Sequence, residues 1–338
     1  MKHFQQIDVI KGLAILMVLL LHSLSRQELL QSYAVYHIWQ AVPLFMVVMG
    51  LNAGLSIQRK EQHLNLLYTR EYFTKKATRI LTPFMLIFAL SILVGFLWQW
   101  LTNEAVLAFS WYTLVGVLPV TGKGNYFITL LLQSIFLLPI IGYAFRKKPV
   151  LTSITLVVLE VLFQLLATQV AYFDKENYLY DAAFPRYFSA IAFGLWLAYS
   201  PGAKKQWPFA LPLVILGVIA AGFLWLVVYQ GLKVDFLRPE WFTQHLLTFG
   251  YAAFWVWLGL RLLPSSSNVI FLKLLATLGK ASYHIFLVQV LYFGLLEESP
   301  VWQNLGICLL LGYLFYMLES NRKIFTSRAA AVFRNKDV

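Results

Sequence analysis

The sequence predicts an all-α integral membrane protein with about ten transmembrane helices and cytoplasmic N- and C-termini. Three observations predict it. Of 338 residues, 60% are hydrophobic and only 12% charged, and the mean hydropathy of +0.69 is far from that of a soluble domain. Apolar runs long enough to cross the hydrocarbon recur along the whole chain. The 27 Lys and Arg residues fall in short segments between those runs, which is how the positive-inside rule marks cytoplasmic loops.

The runs lie near 7–24, 35–57, 80–101, 125–144, 150–172, 184–200, 207–229, 244–263, 281–296 and 301–319. The first carries Asp8 and Lys11 near its start and His22 near its end, with no small-residue cleavage pattern after it, so it reads as a retained span. The second begins near His37. The third follows a basic segment, 71–84, with Pro83 just inside the membrane. The fourth opens on Gly124-Asn125-Tyr126-Phe127 and closes before Arg146-Lys147-Lys148. The fifth holds Glu160 and Gln164. The sixth opens on Phe184-Pro185-Arg186-Tyr187-Phe188 and stops at Ser200-Pro201-Gly202. The eighth opens near His245 and stops at Leu263-Pro264-Ser265, an ordinary turn. The tenth contains Cys308, read as a small core residue, and a short basic tail follows from about 320.

Residues 105–120 are apolar too, but they contain Ser110, Gly116 and Pro119, and a span there would reverse every later helix. With ten spans, 21 of the 27 cations fall inside: Lys2, Lys11, those of 59–79, 146–148, Lys204-Lys205, Arg261, Lys273, Lys280 and those from Arg322 onward. Arg26, Lys123, Lys175, Arg186, Lys233 and Arg238 fall outside, among acids such as Asp174, Glu176, Asp181, Glu297 and Glu298. The net charge of +12 therefore reads as topology, not as a nucleic-acid surface. Residues 1–338 form one transmembrane domain.

Eleven residues separate Lys11 from His22. That is about three turns, so both lie on one helix face about 16 Å apart. Titratable groups inside a span usually face a cavity or a partner. A second reading stays open, with Lys11 snorkelling beside Asp8 and His22 in the opposite headgroup layer. Lys76 and Arg79 stand one turn apart, a spacing that grips a phosphate and equally anchors a cytoplasmic helix end; Lys11 adds a third cation at that depth. On the outer side, Asn125, Tyr126 and Arg186 are candidates for hydrogen-bonding a polar acceptor such as a sugar, although aromatic belts and helix starts account for Asn and Tyr there. Glu160 pairs with Gln164 one turn on, or serves a proton path. Glycine-rich phosphate loops, zinc-binding His pairs and nucleophile elbows are missing from the sequence, so no metal site is expected.

These stretches together resemble the membrane-bound acyltransferase type 3 family, bacterial enzymes that acylate exported glycans. The resemblance rests on Asp8-Val9-Ile10-Lys11-Gly12 with His22 beyond, on Val42-Pro43-Leu44-Phe45 running to Gly50, on Phe73, Lys76, Arg79, Ile80 and Pro83, and on Gly279-Lys280-Ala281-Ser282-Tyr283-His284. It departs at Lys11, where many members carry Arg, and at Gln289, where many carry His. It implies acetyl-CoA or another acyl-CoA as donor substrate, no permanently bound cofactor, donor phosphates near Lys11, Lys76 and Arg79, and His22 as general base or transiently acylated nucleophile. It also implies an exported glycan or lipid-linked sugar as acceptor near Arg186, Tyr126 and Asn125, in a bacterial cytoplasmic membrane. A multi-span transporter or exporter subunit is the alternative.

Overall fold

The computed structural model describes residues 4–58, 67–175, 177–199, 210–235, 237–238, 243–296 and 299–334. Lys2, the loop after position 58, Glu176, the Ser200-Pro201-Gly202 turn, Lys204-Lys205, Glu297-Glu298 and the side chains of 174–175 and from Arg322 onward lie outside that description. Among the described residues, each of the ten apolar runs is mainly helical. Eight helical segments have the length and apolar composition to cross a membrane, and Leu246–Leu262 is a shorter apolar helix.

In chain order the helices are α1 (Gln5–Ser23), α2 (Arg26–Gln31), α3 (Ala41–Gln58), α4 (Arg70–Lys76), α5 (Thr82–Thr102), α6 (Tyr126–Lys147) and α7 (Pro149–Gln169). They continue as α8 (Tyr172–Lys175), α9 (Asn177–Asp181), α10 (Phe188–Ala198), α11 (Ala210–Tyr229), α12 (Leu246–Leu262), α13 (Ile270–Leu295) and α14 (Val301–Arg334). The sixth expected span is thus a single 3-10 turn, Phe184–Tyr187, followed by α10, only 11 residues long. The backbone of the expected basic tail continues α14 as helix to Arg334.

Residues 105–120 are not a membrane helix. They form a hairpin-like excursion closed by an antiparallel bridge between Leu107 and Val120, with a 3-10 turn at Trp111–Val115 ended by Gly116 at φ +117°. Gly95 of α5 admits it: a Cβ there would lie 2.4 Å from Leu107 Cδ2.

Two glycine crossings set the packing. At the first, between α1 and α13, a Cβ on Gly12 would lie 2.0 Å from the Leu275 carbonyl oxygen, and one on Gly279 would lie 1.8 Å from that of Asp8. At the second, between α3 and α10, a Cβ on Gly50 would lie 2.3 Å from the Ile191 oxygen, and one on Gly194 would lie 2.1 Å from that of Val47. Without water to drive apolar helices together, such close backbone approach supplies the van der Waals contact that holds them. In α3 and α13, 67% and 61% of the membrane-length window is buried, against 22% in α7 and 17% in α14. The outer helices present leucine and isoleucine outward, while Glu160 and Gln164 of α7 and Glu319 of α14 are buried.

Candidate active site

α1 is continuous from Gln5 to Ser23, so Lys11 and His22 keep the separation of about 16 Å that helical rise dictates. α13 runs beside it in the same direction, with Gly279 level with Asp8 and Gly12. Lys11 Nζ pairs with Asp8 Oδ1 at 2.7 Å, and Asp8 is buried.

The basic motif joins this end of the bundle through its backbone. Between α4 and α5 the chain makes a π turn, Ala77–Leu81, which carries Arg79. Wide turns of this kind leave backbone carbonyls to other donors and are frequent at functional sites. Here Tyr283, one turn beyond Gly279 on α13, donates to the Ile80 carbonyl at 3.0 Å. α4 is fixed from the other side. Pro139 in α6 has no N–H for the Ile135 carbonyl, and the Tyr72 hydroxyl donates to that oxygen at 2.6 Å, while Tyr68 donates to Phe136. Lys76 lies over the Tyr72 ring, 5.6 Å from its centroid. Three of the four motifs read from the sequence therefore meet around the Lys11 end of α1.

At the other end of α1, His22 lies beneath the turn that leads into α6. Gly124 has φ +88°, and a Cβ on it would stand 3.3 Å from His22 Nε2, 3.4 Å from Phe286 Cε2 and 3.9 Å from Gln289 Nε2. The missing side chain lets the turn's backbone approach the imidazole closely. Gly122 brings the turn there, because a Cβ on it would lie 1.9 Å from the Val290 oxygen of α13. Gln289 Nε2 donates to the Lys123 carbonyl at 2.9 Å. Lys123 lies over the Phe293 ring, whose edge faces His22 at 6.1 Å between centroids. Asn125 is buried, and its Oδ1 accepts from the Leu118 N–H at 3.1 Å, while its Nδ2 makes no hydrogen bond.

Tyr126, next in sequence, belongs to a second polar cluster. It hydrogen-bonds Tyr187 and lies within the field of Arg186. Arg186 is fully buried, 3.6 Å from Asp181, with its guanidinium 4.7 Å and 5.1 Å from the Tyr180 and Tyr187 ring centroids. Arg238 covers the same Tyr180 ring at 5.0 Å and donates to Asn177 at 2.8 Å. Burial pushes the Tyr180 phenol above its ordinary range, so it stays protonated and donates to Gln164 Oε1 at 2.7 Å. The expected Glu160–Gln164 pair is not what forms. Glu160 Oε2 accepts from the Ser189 N–H at 2.7 Å, at the start of α10, where a helix's positive end favours a carboxylate. Gln164 is one turn away but turned toward Tyr180, because the two partners arrive from different segments.

A family model described as an acyltransferase domain matches residues 4–318. The chain belongs to the acyltransferase type 3 family. The protein is therefore an acyltransferase, multi-pass by the composition of its helices, and it acts between an acyl donor and an acceptor. No curated protein and no solved structure matches the chain significantly.

The expected residues of this acyltransferase fall into three places: Lys11, Lys76 and Arg79 on segments joined by α13, His22 with Asn125 under and beside the Gly124 turn, and Tyr126 with Arg186. Gly122, Gly124 and Lys123 were missed by sequence reasoning, although Thr121-Gly122-Lys123-Gly124 before a span is a signal for close backbone approach. His37 accepts the Ile38 N–H through Nδ1, and His245 accepts that of Leu247, so both cap helix starts. His284, inside the late motif, pairs with Glu319 of α14 at 2.9 Å. No cluster that could hold a metal ion is found among the described residues.

Proposed function

We propose that this acyltransferase moves an acyl group, acetyl first, from cytoplasmic acyl-CoA to a hydroxyl of an exported glycan or lipid-linked sugar, across a bacterial cytoplasmic membrane. The observation that carries the reading is the close approach of the Gly124 turn and of Gln289 to His22 Nε2, on the helix whose opposite end bears Lys11. A phosphate-rich donor suits the cations Lys11, Lys76 and Arg79. Its extended arm is of the right order to bridge about 16 Å to His22, eleven residues along the helix.

In this mechanism His22 Nε2 takes the proton of the acceptor hydroxyl as its oxygen attacks the thioester carbonyl. Collapse of the tetrahedral adduct breaks the C–S bond, and the imidazolium returns the proton to the departing CoA sulfur. Asn125 Nδ2 is the donor for the developing oxyanion. Tyr126 orients the acceptor, and Arg186 stabilises Tyr126 from behind. A transient acyl-histidine is the covalent variant of the same geometry.

The test is acetyl-CoA-dependent CoA release in proteoliposomes with a crude envelope-glycan acceptor. Wild type should turn over. His22→Ala should lower the rate about 1000-fold, within the range typical of a general base. Lys11→Ala should raise the KM for acetyl-CoA with less effect on kcat. Turnover by His22→Ala equal to wild type overturns the mechanism, and absent CoA release across donors would make solute movement the leading function.

A further inference from the structure

At the Lys11 end of the bundle lies a cavity of about 410 Å³ walled by Gln5, Ser265, Ser266, Ala276, Lys273 and Lys280. That volume falls within the range of small-molecule sites, which starts at about 300 Å³. None of Lys11, Lys76 and Arg79 lines it, so it is distinct from the cations already assigned. Its wall is fixed by α1. The Gln5 N–H donates to the Ser265 carbonyl at 3.2 Å, the Ser267 N–H donates to Gln5 Oε1 at 2.5 Å, and Gln6 Nε2 donates to the Leu260 and Leu263 carbonyls at 2.9 and 2.6 Å. The loop from α12 to α13 is thereby tied to the start of α1. With Oε1 engaged, what the Gln5 amide offers the cavity is its N–H groups.

Lys273 and Lys280 stand seven residues apart on α13. Their Cα atoms differ by about 20° around the helix and about 10 Å along it, so two flexible four-carbon stems can bring both ammonium groups to one ligand between them. Neither lysine has an acidic partner among the described residues, and no acid lines the cavity. Helix stability does not account for Lys273. It stands in the first turn of α13, where the helix dipole disfavours a cation, and that turn holds no acid. The positive-inside rule accounts for lysines near a helix end, but not for placing two of them on the wall of one cavity.

We infer that this cavity binds a phosphomonoester, held between Lys273 and Lys280 with Gln5 and the serine hydroxyls as further donors. Such a group carries close to two negative charges and three acceptor oxygens, which matches two ammonium groups and a wall without acids. A cavity of this size also takes the organic body that carries the phosphate. Two molecules present that chemistry here: a nucleotide, such as the phosphorylated end of the proposed donor, and a phospholipid with a bare phosphate head, phosphatidic acid. Only the nucleotide source rests on the acyl-CoA reading.

The test uses the full-length protein in phosphatidylcholine nanodiscs. Equilibrium binding of radiolabelled adenosine 3′,5′-bisphosphate reads the nucleotide source, and native mass spectrometry with added phosphatidic acid reads the lipid source. Wild type should bind at least one probe, and Lys273→Gln/Lys280→Gln should weaken that binding at least about tenfold, as expected on losing charged hydrogen bonds. Lys147→Gln/Lys148→Gln, at the end of α6, removes the same charge outside the cavity and should leave binding within about twofold. Loss of nucleotide alone assigns the seat to the donor, loss of lipid alone assigns it to the leaflet, and loss of both with mutual competition makes it one seat open to either. Binding of neither probe by wild type overturns the inference, as does unchanged binding in the cavity variant or an equal loss in the α6 variant. Neither readout requires turnover, so absent CoA release bears on the acyl-transfer reading alone.

Discussion

The two glycine crossings are built alike and end differently. At α1/α13, Gly12 and Gly279 bring the backbones together, and further along the same pair stand His22 and Gln289, whose Oε1 is buried without a hydrogen-bond partner. At α3/α10, Gly50 and Gly194 do the same, and the groups above α10 are charged ones that meet within the protein: Arg186 with Asp181, Tyr180 and Tyr187, and Glu160 with Ser189, although Glu160 Oε1, Gln164 Nε2 and Ser189 Oγ lack hydrogen-bond partners. Buried charge persists only where partners are supplied. The second region is accordingly a charged buttress for Tyr126, and the first brings His22 against the Gly124 turn.

The strongest way to break this comparison is to force both crossings apart. Gly279→Ala puts a Cβ 1.8 Å from the Asp8 oxygen. Overpacking of this kind costs about 3 kcal/mol, and displacing His22 from Gln289 should lower turnover about 100-fold. Gly50→Ala should lower the thermal midpoint similarly, yet reduce turnover less than about tenfold because His22 is not on that crossing. Equal losses of turnover would show that the two regions act as one.

Arg186→Met leaves the Asp181 carboxylate without its guanidinium and should cost about 3 kcal/mol, read from thermal unfolding, with Arg186→Met/Asp181→Asn recovering much of it. A ligand-gripping arginine would instead change acceptor KM with little effect on unfolding. Gly124→Ala sharpens the other side. At φ +88° a side chain adds about 1–2 kcal/mol of strain, and its methyl, 3.3 Å from His22 Nε2, pushes the imidazole aside, so acceptor turnover should fall at least about tenfold with acetyl-CoA affinity retained in equilibrium binding.

Smaller effects test the assignments within the buttress. Glu160→Gln keeps an oxygen for the Ser189 N–H, so stability should change by less than about 1 kcal/mol and turnover stay within about twofold. A loss of about 100-fold would make Glu160 a proton-transfer group. Tyr72→Phe should cost only about 1 kcal/mol, because it removes one hydrogen bond to the carbonyl that Pro139 leaves bare; a larger loss of acetyl-CoA affinity would tie that bond to the placing of Lys76.

Much of this was legible in one dimension. The alternation of apolar runs with cationic segments marks the helices, and the helical repeat alone puts Lys11 and His22 on one face. The placement of the Lys and Arg residues excludes a span at 105–120, which holds Ser110, Gly116 and Pro119. The partners of Glu160 and His22 were not legible, because each comes from a segment distant in sequence: Ser189 and Gly124. Gly122 and Gly124 carry no chemistry of their own, so a search for reactive side chains passes over them.

The sequence by itself determined the helical class, the membrane-spanning character, the family resemblance and the two depths on α1, since hydropathy, helical rise and motif order are properties of the chain read locally. The tertiary structure decided which polar groups meet within the protein. That follows from backbones meeting at two pairs of glycines, and a contact of this kind depends on the position of both helices at once.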